Sequence, residues 1–146
     1  MSYVDHSLIA GETVTFRTRL HPIIFAWPIL WAIVALAVLI FGYHLTAGII
    51  LAWALLLGLI KYVVYISSEF AVTNKRVIIK VGVLRRRTLE MLLSKVEAIA
   101  VTQGLLGRMI GCGSIVVTGT GGTHEPFANI SSPLEFRRAV QASTIN

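Results

Sequence analysis

The sequence has no charge over one long stretch: residues 22–60 contain no Asp, Glu, Lys or Arg. A helix crosses the ~30 Å hydrocarbon core of a bilayer with about 20 apolar residues, so this stretch is long enough for two crossings. A polar break at residues 42–48 divides it into two runs. We therefore predict a hairpin of two membrane helices, over residues 23–41 and 49–66. The alternative, a pair of buried core helices, would need more surrounding protein than the remaining chain supplies.

Cysteine is nearly absent, since Cys112 is the only one in 146 residues. One thiol excludes an intramolecular disulfide and the thiolate clusters of structural zinc sites. The four histidines are dispersed along the chain, at His6, His21, His44 and His124. The glycines lack the spacing and the lysine of a phosphate-binding loop, and the pair Gly111 and Gly113 lacks the third glycine of a dinucleotide site. We therefore predict no catalytic residues, no metal, no cofactor and no enzymatic activity.

Acidic residues are few, with 7 Asp and Glu against 13 Lys and Arg, for a net charge of +6. The segment between the two apolar runs holds no Lys or Arg, whereas Arg17 and Arg19 precede the first run and several basic residues follow the second. Positive residues stay on the cytoplasmic side of a membrane. The expected topology is a multi-pass protein of the cell (inner) membrane with both termini in the cytoplasm.

The remaining part, residues 67–146, has the short apolar runs and turn residues of a β-rich domain. The runs that predict strands cover residues 70–73, 77–81, 96–102, 114–118 and 124–127. Turns are indicated at Asn74-Lys75, at Gly82 and at residues 119–122. The glycine-containing segment at residues 104–113 is interpreted as a linker.

The pattern changes to a helical period near the C-terminus. Ser132 is a candidate N-cap, Pro133 occupies the first helical position, and Glu135 completes a capping box. Phe136 and Val140 then fall on one face of the predicted helix. This face is expected to pack on the sheet, because two apolar faces must cover one another.

The N-terminal tail also has a strand pattern, with apolar and polar residues alternating over residues 12–20. An isolated strand would expose an unpaired edge. We therefore expect it to dock on the C-terminal sheet, which makes the hairpin an insertion within one domain. The predicted organisation is a cytoplasmic tail at 1–21 with a strand that joins the soluble domain, a two-helix transmembrane hairpin at 22–66, and a cytoplasmic domain at 67–146.

Three blocks of sequence resemble a known family. They are residues 69–78 (EFAVTNKRVI), Gly82-Val83, and residues 107–113 (GRMIGCG). In this order they look like the bacterial pleckstrin-homology-like family of small membrane proteins, whose members pair two N-terminal spans with one such domain. The resemblance departs at Cys112, where an aromatic residue is usual. It implies a seven-strand barrel closed by a helix, and it supplies no function, because the fold is a binding scaffold with many uses.

The predicted fold is thus a membrane α-helical hairpin plus a small β-rich pleckstrin-homology-like barrel capped by a C-terminal helix. Four basic residues are candidate contacts for lipid headgroups or a partner: Lys75, Arg76, Arg85 and Arg87. They could equally serve only to set topology and keep the domain soluble. Four small residues, one just before the second span and three within it, are candidates for close helix packing: Gly48, Ala52, Ala54 and Gly58.

The function that we predict from the sequence is a non-enzymatic, membrane-anchored scaffolding module, an accessory or adaptor component of a membrane protein complex at the cytoplasmic face. Its expected partners are membrane lipids and either other membrane proteins or a second copy of the chain. The alternative is a domain that senses anionic lipids with its basic surface. Nucleic acid is not expected, because no aromatic stacking platform interleaves the basic residues. No small-molecule substrate is expected either.

Overall fold

The computed structural model describes residues 3–82 and 87–145. The first half of the chain contains α1 (Tyr3–Ser7), β1 (Val14–Thr18), a 3-10 turn (Pro22–Phe25), α2 (Ala26–Ile40), α3 (His44–Ser67), β2 (Glu69–Thr73) and β3 (Arg76–Val81). The second half contains β4 (Arg87–Leu92), a 3-10 turn (Leu93–Lys95), β5 (Val96–Thr102), α4 (Leu105–Ile110), β6 (Cys112–Gly119), β7 (Thr123–Ser131) and α5 (Pro133–Ile145).

The strands form two antiparallel sheets and not the closed barrel that the resemblance implied. The first sheet has the order β1-β2-β3-β4 and the second the order β5-β6-β7. One corner is joined by a bridge between Leu20 and Ile130. At the other corner, within the described residues, β4 and β5 form no ladder. The 3-10 turn between these two strands leads the chain from one sheet to the other, and α5 contacts this turn and β5.

The core lies between the two sheets and α5. Phe70 of β2 and Phe127 of β7 meet edge to face with their ring centroids 6.1 Å apart. Phe136 of α5 is fully buried and packs against Phe16 of β1 at 6.5 Å. Each of these aromatic contacts joins two different elements, so burial of apolar surface holds the sheets and the helix together.

The first sheet is buried on its outer face as well. Ala71 of β2 and Ile78 of β3 point away from the main core and pack against Val4 of α1. Both strands therefore carry continuous apolar runs, as strands covered on two faces do. Helix α1 had no counterpart among the sequence-based expectations, although the unbroken apolar run in β2 is a signal that something covers this face.

The N-terminal strand belongs to the first sheet. β1 runs antiparallel to β2, with Thr18 opposite Phe70 and Phe16 opposite Val72. Residues before and after the two long helices thus pair directly. In the structure α2 and α3 are inserted between two adjacent strands of one sheet.

The two long helices are mostly apolar, with Lys61 as their one Lys, Arg, Asp or Glu, and are largely uncovered by the rest of the chain. The segments Pro22–Ile40 and His44–Ser67 are both long and apolar enough to cross a membrane. Only 17% and 6% of their most apolar windows are buried. At their base, Phe25 and Tyr65 pack with ring centroids 5.6 Å apart and extend the core of the sheets. Ser68 alone separates α3 from β2.

The segment predicted as a linker contains a helix. Gly104 precedes α4 and Gly111 ends it, with a left-handed φ of +73° that suits a helix C-terminus. Between them, the Leu, Arg and Met residues are good helix formers. Gly107 is required by packing, because a Cβ there would lie 2.6 Å from the carbonyl oxygen of Cys112. The linker interpretation was wrong because the flanking glycines cap a helix.

Candidate functional site

The four basic candidates do not form one patch. β2 begins beside the end of α3, and Lys75 lies at the far end of this strand, roughly 20 Å along the chain from Ser68. Arg87 is at the opposite end of the sheet, near the end of α3. It pairs with Val81, and the backbone N–H of the next residue, Gly82, donates a hydrogen bond to Ser68 Oγ at 3.3 Å. Arg85 lies outside the described residues. Of the described candidates, only Arg87 is both exposed and near the long helices.

Arg76 is enclosed by acidic partners. Its Nε lies 2.9 Å from Glu12 Oε1, and its Nη1 lies 2.7 Å from Glu90 Oε2. The side chain is only 12% exposed. Two carboxylates of the same chain therefore bind the guanidinium. Through these ion pairs, Arg76 joins the N-terminal segment to β3 and β4.

The partner of Arg76 inside the domain is Glu12, whose side chain is completely buried. Thr73 Oγ1 donates a hydrogen bond to Glu12 Oε1 at 2.7 Å, and the Ile9 backbone N–H donates to Oε2 at 2.9 Å. A buried carboxylate is tolerated only when it is paired and hydrogen-bonded, and Glu12 meets both conditions. Nothing in the sequence indicated which cation Glu12 would meet.

These contacts set the protonation of the Glu12–Arg76 pair. Burial by itself would raise the pKa of Glu12, but the hydrogen bonds from Arg76, Ile9 and Thr73 outweigh it and hold the pKa below its ordinary value of 4.5. The hydrogen bond to Glu12 raises the pKa of Arg76. Both groups are therefore charged at neutral pH, and the pair is an ionic one.

Acidification should destabilise the domain through Glu12. A carboxyl whose pKa is lowered by folding contributes stability above about pH 4.5, and this contribution is lost as the pH falls through the folded-state pKa. We expect the free energy of unfolding to decline below this pH in the wild type. It should decline less steeply in Glu12→Gln, when both are followed by amide hydrogen exchange in detergent. Equal acid dependence in the two proteins would contradict the assignment.

The small residues of α3 divide between two faces. Ala54 is buried against α2, and a Cβ on Gly58 would contact Pro28 at 3.8 Å. Gly48 and Ala52 are exposed. The buried small residues that the sequence reasoning missed are Ala35 and Ala47. The spacing of seven residues between positions 47 and 54 is the coiled-coil repeat that could have revealed them.

Two neighbouring substitutions separate these faces. We expect Ala54→Leu to overpack the contact between α2 and α3 and to destabilise the hairpin by about 1–3 kcal/mol. Ala52→Leu, on the exposed face, should leave the stability of the hairpin unchanged. Unfolding of the full-length protein in mixed micelles by a denaturing detergent measures both. Equal tolerance of the two leucines would show that Ala54 does not lie at the helix contact.

Residues that could perform chemistry are not brought together. Across residues 3–82 and 87–145, no three His, Cys, Asp or Glu side chains form a group that could hold a metal ion. Cys112 is buried, and burial raises the pKa of its thiol. A raised pKa lowers the fraction of the reactive thiolate.

A surface groove lies where the barrel fails to close. Among the described residues β5 pairs with β6 alone, and its residues Val96–Ile99 line the groove on one side. Val140, Gln141 and Thr144 of α5 line the other side. The groove has a volume of about 380 Å³. Sequence patterns did not predict it, because it exists only through the gap between the two sheets.

Two antiparallel sheets packed on a C-terminal helix are consistent with the architecture of pleckstrin-homology-like domains, which are binding modules. The family model for the bacterial PH domain matches residues 19–144. The chain belongs to the bacterial PH domain family. No curated protein and no solved structure matches it significantly.

Proposed function

We propose that this protein is a membrane-anchored binding module without catalytic activity, an accessory or adaptor component that holds a partner protein at the cytoplasmic face of the membrane. The helices α2 and α3 anchor it by crossing the bilayer twice. The groove between β5 and α5 receives an extended segment of the partner. The groove is the observation that carries the binding role, and the two exposed apolar helices carry the anchoring.

The anchoring is supported by the surface of the two helices. Side chains of α2 and α3 that are large and apolar face outward along their whole length, among them Ile33, Leu36, Leu55 and Leu59. An apolar surface of this extent is not left in water by a soluble protein. Core helices of a soluble domain would be mostly buried, and these are mostly uncovered. Lipid chains are the environment that fits them.

The topology is supported by the first sheet. Thr18 pairs with Phe70, so the segments that enter and leave the helices lie on the same side of the membrane. The number of crossings between them is therefore even, which agrees with two helices. The basic residues that flank the hairpin lie on this side, and the loop at Gly42 has none, so the positive-inside rule favours the cytoplasm for this side.

The binding role is supported by the outer edge of β5, which pairs with no strand in the part of the chain that the structure describes. Its free backbone N–H and C=O groups can accept one more strand, and an extended peptide that adds there gains main-chain hydrogen bonds. The groove against α5 supplies pockets for alternate side chains of such a peptide. Val96, at its start, pairs with Gly119, at the far end of the second sheet from the long helices. A partner seated there approaches from the cytoplasm.

The test places a photo-crosslinking residue at Ala98, inside the groove, in the full-length protein in native membranes. We expect protein adducts from this position and none from Ala128, an exposed position on β7 that serves as the control. The substitution Thr144→Trp fills the groove from α5 and should suppress the adducts at position 98. Adducts that persist undiminished in the Thr144→Trp variant, or that form equally at positions 98 and 128, would contradict a role for the groove.

A second candidate function is contact with anionic headgroups, and the position of Arg87 favours it. This exposed arginine lies at the end of the first sheet that adjoins α3, where basic residues gain about 1 kcal/mol each from an anionic surface. A photo-crosslinker at the exposed neighbour Thr88, which leaves Arg87 in place, should then form lipid adducts that high salt suppresses. The same reagent at Lys75 is the control, since Lys75 lies at the far end of the sheet.

A further inference from the structure

Helix α4 presents an apolar stripe that nothing in the described chain covers. Leu105 is 84% exposed, Leu106 76% and Met109 84%. Ile110 extends the same stripe, because positions 105, 106, 109 and 110 share one face of a helix. Single apolar residues on a surface need no explanation, but four of them together on a six-residue helix indicate a contact with something apolar.

The orientation of α4 is fixed by its packing. Gly107 faces the start of β6, where no Cβ would fit beside the carbonyl oxygen of Cys112. Leu105, Leu106 and Met109 are the most exposed apolar residues of the helix, so this part of the stripe points out of the domain. Arg108 is exposed and lies outside the stripe. The helix is thus amphipathic, with a cation beside an apolar face.

The position of α4 is fixed by His21. The Nδ1 atom of this histidine accepts a hydrogen bond from the Ile23 N–H at 3.1 Å, and its Nε2 lies 3.1 Å from the Ile110 carbonyl oxygen, to which it donates. His21 immediately precedes Pro22, where the first candidate span begins. One side chain therefore joins the end of α4 to the start of the membrane hairpin.

We propose that α4 lies in the interfacial layer of the same bilayer, with Leu105, Leu106 and Met109 inserted at the boundary between headgroups and acyl chains. This inference rests on the proposed membrane anchoring. A short amphipathic helix with Leu and Met on one side and Arg beside them suits this layer, where the arginine reaches the headgroups. α4 then acts as a third membrane contact beside α2 and α3.

One observation favours the bilayer over a protein partner as the contact of the α4 stripe: the start of the hairpin, which carries further exposed apolar residues, lies next to it. Ile23 and Trp27 are exposed apolar residues at the entry of the hairpin, close along the chain to the His21 contact. The stripe of α4 thus adjoins an apolar surface that lipid already covers in the proposed topology. The contact of α4 with the membrane also orients the domain. The β5–α5 groove lies at the other end of the second sheet and is therefore directed away from the membrane.

The test uses the full-length protein in vesicles of equal parts phosphatidylcholine and phosphatidylglycerol. Single nitroxide labels are introduced by Leu105→Cys and Met109→Cys in a Cys112→Ala background. If that background fails to fold, the native chain serves, because its Cys112 thiol is buried. Leu56→Cys in α3 reports the hydrocarbon, and Thr120→Cys in the turn between β6 and β7 reports water. Collision of each label with oxygen and with a water-soluble nickel complex is measured.

We expect the labels on α4 to collide more with oxygen and several-fold less with nickel than the label at position 120. Labels on α4 that behave like position 120, while position 56 reports hydrocarbon, overturn the inference and leave the membrane anchoring intact. Labels on α4 that are shielded from both reagents place a protein against the stripe and also overturn it. Water at position 56 refutes the anchoring itself.

Discussion

Replacing Arg76 by Met should lower the free energy of unfolding of the two-sheet domain by about 3–5 kcal/mol, the usual cost of leaving a buried charge without its partner. Glu12 is completely buried, and Arg76 is its only cationic partner among the described residues. Without the guanidinium, the remaining donors from Thr73 and Ile9 cannot neutralise the carboxylate. Glu90 loses its ion pair with Arg76 at the same time.

The measurement is hydrogen exchange of the amides of β2 and β3 in detergent, which reports the free energy of opening. The control is Arg87→Met, which removes an exposed arginine of the same sheet and should change stability by no more than about 0.5 kcal/mol. Replacing both members of the pair, as in Glu12→Leu with Arg76→Met, should restore part of the loss. Equal effects of Arg76→Met and Arg87→Met would show that the ion pair is not a structural one.

Replacing Phe136 by Ala should cost about 3–5 kcal/mol, the range for a large aromatic side chain removed from a core. Phe136 is fully buried and meets Phe16 edge to face. The helix after the second sheet and the strand before the hairpin thus meet in this aromatic contact. The loss should therefore extend to β1, and its amides should lose protection together with those of α5.

Arg138→Ala is the matched control, because Arg138 is exposed on the same helix. Alanine and arginine have similar helix propensities, so this substitution should hardly change the stability of α5. Hydrogen exchange in the full-length protein again gives the free energies. If Phe136→Ala exposes the amides of α5 and leaves those of β1 protected, the N-terminal strand and the C-terminal helix do not form one cooperative unit.

The parts of the fold that the sequence predicts are those with strong periodicity. The strands β2, β3, β5 and β6 and the C-terminal helix follow from alternation and from the Ser132-Pro133 start, and their positions agree with the structure, whereas β7 extends to Ser131, beyond the predicted residues 124–127. The uncharged residues 22–60 lie in the two long helices and in the turns that flank and join them. An apolar run of this length is too long for a strand and is typical of long helices. Local sequence determines such elements.

The parts that the sequence did not predict depend on contacts between distant residues. The seven strands form two sheets instead of a barrel, since β4 and β5 form no ladder within the described residues. The pairing of Arg76 with Glu12 joins positions 64 residues apart, and no local pattern encodes it. The sequence did not predict the exposed stripe on α4, because the glycines that flank this helix resemble those of a loop.

The most direct test of the central claim is the sidedness of labelling in intact cells. Tyr43→Cys places a thiol in the exposed turn between α2 and α3, and Thr120→Cys places one in the turn between β6 and β7, at the far end of the two-sheet domain. A membrane-impermeant maleimide should label position 43 from outside the cell and position 120 only after lysis. Labelling of position 120 in intact cells, or of position 43 only after lysis, would contradict a hairpin that crosses the membrane twice with its domain in the cytoplasm.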